Sequence, residues 1–213
     1  MEKKLTKIYR RLQAHFGPQR WWPADAPFEV MVGAILAQNT SWLNVEKAVQ
    51  NLKAKKLLAA RKISVIPCRR LAGLIRSAGY YNVKAARLKE YVRFMFDNYG
   101  GSARRMSQAP AGILRRQLLS VKGIGPETAD SILLYALGKP VFVVDAYTKR
   151  IFSRHKAVKE TDSYDEVQGF FMQNLKKDVQ LFNEYHALIV ELGKEFCRKK
   201  NPRCGACPLK YDK

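Results

Sequence analysis

Apolar residues in this chain return at spacings of three and four almost wherever they cluster, a period that admits helices and little else. Phe28, Val30, Met31, Ala34 and Ile35 form one such stripe, Leu43, Val45, Val49 and Leu52 another, and Leu71, Leu74 and Ile75 a third. Between Val83 and Tyr99 the pattern predicts Leu88, Tyr91, Val92 and Met95 facing inward and Lys84, Arg87, Lys89 and Arg93 facing outward. Further helices are expected after Pro110, from Asp145 to His155, from Tyr164 to Leu175 and from Phe182 to Phe196, with glycine and proline turns at Gly17-Pro18, Gly79, Gly100-Gly101 and Gly138-Lys139-Pro140. Val141-Phe142-Val143-Val144 is the one strand-like run, and it fits a buried extended connection equally well. The expectation is an all-α chain.

Charge narrows the partners. The 213 residues carry 39 Lys+Arg against 18 Asp+Glu, a formal net charge of +21. At 47% hydrophobic residues a packed core is available, which excludes intrinsic disorder. A surplus of that size draws in a polyanion by counterion release, so nucleic acid is the first partner to consider, with an anionic membrane surface as the rival. No apolar run approaches the ~18 residues that span a bilayer. Met1 to Arg11 reads as a basic amphipathic helix, with Leu5, Ile8, Tyr9 and Leu12 on one face, and not as a signal peptide. These features predict a cytoplasmic protein.

Three local patterns carry chemistry. In Val121-Lys122-Gly123-Ile124-Gly125-Pro126-Glu127 one helix ends and another begins at once, with Pro126 at its first position and Glu127 in its first turn. The glycines let backbone N–H groups approach a phosphate, which makes the turn a sequence-independent clamp or, on the plainer reading, a tight helix junction. Asp145 then stands between the apolar run and a helix. It is either an ordinary N-cap or a carboxylate held ionised for catalysis. Finally, Cys197, Cys204 and Cys207 crowd the end of the sequence, a distribution that suits a metal or cluster better than disulfides.

The hairpin followed by Val144-Asp145 resembles the helix-hairpin-helix, glycine/proline-rich loop and aspartate signature of the endonuclease III (HhH-GPD) superfamily of DNA base-excision glycosylases. Ala37-Gln38-Asn39-Thr40 is similar to that family's early helix junction, Gly79-Tyr80-Tyr81-Asn82-Val83-Lys84-Ala85 to its Gly-x-Tyr-Asn-x-Lys-Ala loop, and Cys197-x6-Cys204-x2-Cys207 to its iron-sulfur loop. The resemblance implies a two-lobed, all-α glycosylase fold. Residues 25–140 would form a six-helix domain with the hairpin, and residues 1–24 with 141–213 a second helical domain ending in the cysteine loop. Double-stranded damaged DNA would bind a monomer across the cleft. Asp145 would stabilise the cationic sugar, with Gln38 filling the gap left by the flipped nucleotide, Tyr80 wedging beside it, and Asn82, Lys84, Lys122, Gly123 and Gly125 on the DNA. The plainer readings are polar capping for Gln38 and core packing for Tyr80.

Strand-cleaving members carry a Schiff-base lysine where this chain has Glu127, and a carboxylate cannot do that chemistry. The adenine-mismatch branch carries a glutamate where Ala34 stands. Trp21-Trp22-Pro23 and Trp42 resemble the 3-methyladenine glycosylase branch, whose aromatic rings line the base pocket and stack on an electron-poor alkylated purine. As core anchors the same tryptophans would be unremarkable. Glu127 would then pair with a cationic base at the pocket wall, or be a first-turn glutamate and no more. The expected activity is a monofunctional glycosylase for alkylated purines. The alternatives are an oxidised-pyrimidine glycosylase of the endonuclease III kind and a non-catalytic DNA-binding module.

The cysteine spacing resembles the first three ligands of a 4Fe-4S cluster, but the position of the fourth is Lys213. That leaves an open or solvent-ligated iron, a thiolate from elsewhere such as Cys68, a loop without metal, or zinc. Cys68 reads more simply as a half-buried thiol. His15, His155 and His186 show no spacing that assigns them a role.

Overall fold

A computed structural model describes residues 1–19, 21–22 and 24–210, and among them every regular element is helical. The chain divides into two compact units, residues 24–139 and residues 1–23 with 140–213. No helix is long and apolar enough to cross a membrane.

Residues 24–139 hold α2 (Pro27–Leu36), α3 (Trp42–Ala54), α4 (Ala60–Val65), α5 (Cys68–Leu74), α6 (Tyr81–Tyr99), α7 (Ala103–Gln108), α8 (Ala111–Ser120) and α9 (Pro126–Ser131). That is eight α-helices among the described residues where six were expected, because short pieces such as α4, α5 and α7 stand as helices of their own between turns. Val30 to Leu36 are buried on every side of α2, which makes it the helix the others surround. Directly after α9 the backbone widens into a π-helical turn, Ile132–Ala136, that packs on α2.

The other unit contains α1 (Glu2–Phe16), α10 (Ala146–Arg154), α11 (Tyr164–Asn174) and α12 (Val179–Glu195). Here α12 is central, burying Phe182, Tyr185, His186, Leu188, Ile189 and Leu192, with α1 and α10 against it. Gly193 sets the α10–α12 approach, since a Cβ there would stand 2.2 Å from Tyr147 Cδ1. Val141 to Val144 are buried without forming a strand. Side chains meet part of their backbone instead. Gln168 Nε2 donates to Phe142 O at 2.7 Å and Val144 N donates to the Tyr164 hydroxyl at 3.3 Å. The Phe142 ring stacks on Phe171 with centroids 4.0 Å apart, fixing the segment that delivers Asp145.

Candidate functional site

The helix-hairpin-helix is built within residues 24–139. After α8, Val121 and Ile124 turn inward and Ile124 N donates to Val121 O at 3.0 Å, which closes the turn. Gly123 has φ +89°, and a Cβ there would meet Arg87 Cγ at 2.6 Å, so conformation and space both demand glycine. Gly125 caps α9 and Pro126 opens it. The hairpin is braced from inside the unit. Gln38 Nε2 donates to Gly123 O at 3.0 Å and to Thr128 Oγ1 at 2.9 Å, while Arg87 Nη1 donates to Gln38 Oε1. On the buried side of α9 Asp130 accepts from Arg115 Nε at 2.8 Å and Nη2 at 3.1 Å. Lys122 and Glu127 are exposed on the hairpin. The bracing residues Arg87, Arg115, Thr128 and Asp130 escaped the sequence reading, because their partners lie on other elements and leave no local spacing.

Tyr80 is no core residue. It is 73% exposed, with φ +44°, at the entry to α6, and Asn82 is exposed one step on. Lys84 needs a correction, since a buried ammonium cannot ligate a DNA phosphate. The side chain is 1% exposed, and Nζ donates to Leu36 O at 2.8 Å and Ala78 O at 2.7 Å. Leu36 ends α2 and Ala78 ends a 3-10 turn, so this lysine satisfies two helix-end carbonyls that have no partner in their own helix. Burial, and secondarily Arg87, pulls its pKa below the ordinary lysine value. Trp42 opens α3 and is half-buried. Cys68 is exposed, not half-buried, at the start of α5.

In the other unit Asp145 caps α10. Its Oδ1 accepts from Thr148 N at 2.7 Å and Thr148 Oγ1 at 2.8 Å. Its Oδ2 lies 3.7 Å from Nε2 of His186, and the Asp145 side chain is 12% exposed. His186, assigned no role from its spacing, therefore stands beside the carboxylate. Burial lowers its pKa and Asp145 opposes that shift. The Trp21 ring meets His186 edge-on at 6.4 Å and Trp22 at 6.3 Å, with Lys194 Nζ 5.7 Å from the Trp21 centroid. Trp22 holds φ +62°, a costly backbone for a bulky residue and one that tends to persist at functional sites. The two tryptophans are thus joined to Asp145 through His186, whereas Trp42 and Glu127 belong to the unit of residues 24–139. Pro23 lies outside the described residues.

From α10 the chain also ties down the cysteine loop. Arg150 Nε donates to Cys197 O at 2.8 Å, and Arg154 Nη1 donates to Arg198 O at 2.8 Å and to Cys197 Sγ at 3.4 Å. Cys197, Cys204 and Cys207 line one pocket of about 320 Å³ together with His155 and Leu209. Burial raises the Cys207 thiol pKa, a hydrogen bond from Leu209 N opposes the rise, and Cys197 and Cys204 add to it. Three thiol donors therefore share one pocket. The fourth position, Lys213, lies outside the described residues. No three His, Cys, Asp or Glu side chains among the described residues converge as the ligands of a single metal ion.

Known proteins agree with this architecture. A protein of Methanocaldococcus jannaschii, described provisionally as a DNA repair glycosylase, is 53% identical over 207 residues, 97% of this chain and 94% of its own. Endonuclease III of Thermotoga maritima is 30% identical over 184 residues, 86% of this chain and 81% of its own. The crystal structure of the Helicobacter pylori 3-methyladenine DNA glycosylase bound to 1,N6-ethenoadenine superposes with a TM-score of 0.79 at 31% identity, covering 90% of this chain and 97% of that one. Residues 32–177 match the HhH-GPD superfamily of base excision DNA repair proteins, and the chain belongs to that superfamily.

Proposed function

We propose that the protein is a monofunctional DNA N-glycosylase that releases alkylated purines, with 3-methyladenine the first substrate to test, from double-stranded DNA and leaves the strand intact. The carrying observation is Asp145, whose Oδ1 is engaged by its helix cap while Oδ2 remains for a second partner. As the C1′–N bond breaks, its electron pair leaves with the base and positive charge develops on the sugar. The Asp145 carboxylate stabilises that charge, and water then attacks C1′ and loses a proton to solvent, while the cationic base departs neutral. A cationic N-alkylated purine is already a good leaving group, so selective stacking replaces a strong general acid. Trp21 and Trp22, with Pro23 and Trp42, are proposed as that stacking surface. A 31% identical 3-methyladenine glycosylase of the same fold supports the choice.

DNA would be held by the hairpin N–H groups of Gly123 and Gly125 and by Lys122, with Tyr80 and Asn82 against the bases and backbone beside the vacated site, and Gln38 would reach the gap only by releasing Gly123 O and Thr128. Glu127 offers no amine for a Schiff base, which argues for an unbroken strand. Cys197, Cys204 and Cys207 would hold a 4Fe-4S cluster, which when bound supplies a brace for the basic loop from Arg198 to Arg203.

The endonuclease III relative favours a second reading, removal of oxidised pyrimidines. The deciding experiment is chromatography of bases freed from methylated duplex DNA, with gels run with and without alkali. Free 3-methyladenine and nicking only after alkali are expected. Nicking without alkali, or release only from oxidised duplex, selects the second reading, and binding with no release from either duplex selects a non-catalytic module.

A further inference from the structure

We propose that His186 is a positioning residue for Asp145, its imidazole Nε2–H holding Oδ2 in the orientation that faces the sugar; the proposal rests on the reading of Asp145 as the catalytic carboxylate. Because Oδ1 is fixed twice by Thr148, only Oδ2 is left to meet a developing cation. At 3.7 Å the His186 Nε2 lies just beyond hydrogen-bond length of that oxygen. Contacts of this kind are often long in an unliganded site and tighten when substrate binds.

The imidazole has little freedom to be anywhere else. His186 is 5% exposed on α12, and the Trp21 ring lies against it. The absence of a side chain at Gly193 lets α12 pack closely on Tyr147 of α10, which brings the helix carrying His186 beside the cap residue Asp145. A neutral donor suits this place. It orients the carboxylate and leaves its full negative charge to the sugar, whereas an imidazolium would offset that charge. Burial favours the neutral ring.

Two variants and one spectroscopic measurement test the idea. His186→Phe keeps the bulk and removes the donor, while His186→Gln returns an N–H near the position of Nε2. In single-turnover base release at saturating duplex, His186→Phe is expected to lose between about tenfold and a hundredfold in rate, with duplex affinity within about twofold of wild type. His186→Gln should recover most of that rate. Equal losses in both variants, or a wild-type rate in His186→Phe, would overturn the proposal. Nitrogen NMR of protein labelled in its imidazole rings reports which nitrogen carries the proton. Nε2–H is expected, and a bare Nε2 overturns the proposal whatever the activity. Failure of the wild type to release any base would instead strike at the proposed function, and the NMR result would still decide whether the pair forms.

Discussion

Gln38 and Gly123 are 85 residues apart in sequence and joined by a 3.0 Å hydrogen bond from the glutamine amide to the hairpin carbonyl. Through Arg87, which donates to the same glutamine and fills the space a Cβ of Gly123 would need, the hairpin's shape depends on the turn after α2 and on α6 as well as on its own glycines.

Gly123→Ala should therefore be costly. The left-handed backbone alone penalises a Cβ by about 1–2 kcal/mol, and displacing Arg87 also loosens Gln38. Urea denaturation should show a loss of at least that size, and fluorescence anisotropy on an abasic duplex should show weaker binding.

Lys84 and Lys122 should separate cleanly. Lys122→Ala is expected to leave stability unchanged and reduce the slope of log K against log salt by about 1. Lys84→Ala leaves two buried carbonyls unsatisfied and should cost about 1–3 kcal/mol or more in unfolding free energy, with no change in the salt slope of the protein that remains folded.

At Asp145, capping and chemistry can be told apart. Asp145→Asn keeps a cap and should cost only a few tenths of a kcal/mol, while Asp145→Ala should cost about 1 kcal/mol. Both should lower base release by about a hundredfold or more. A robust rate in Asp145→Asn would mean that the charge on this carboxylate is not what the reaction uses.

Acid should destabilise the protein in part through His186. Its folded pKa lies below the ordinary 6.5, so in the window between the two values the unfolded chain binds a proton that the native ring refuses. Stability should fall as pH drops through that window and be fully restored above about 6.5. Denaturation curves of His186→Gln should show a shallower fall over the same range.

For the cysteine loop, iron and acid-labile sulfide assayed on anaerobically purified protein should be equimolar. Replacing Cys204 by Ser should deplete both together.

The sequence by itself determined the all-helical class, the hairpin and its place before Pro126, and the start of a helix at Asp145. These features are written in short-range physics: a period of three to four, the conformations open to glycine, and the fixed φ of proline. Tertiary structure decided what those signals could not reach. Grouped with Arg87, Lys89 and Arg93, Lys84 reads as solvated, and only the meeting of the Leu36 and Ala78 carbonyls explains why it is buried. Tyr80 reads as a wedge with core packing as the plainer alternative, and its exposure follows from the left-handed turn into α6. Nothing near His186 in the sequence marks its role, because the carboxylate it faces lies at the start of a different helix, one that packs closely on α12 at Gly193. Periodicity records which face of a helix is buried; it carries no record of which other helix that face will meet.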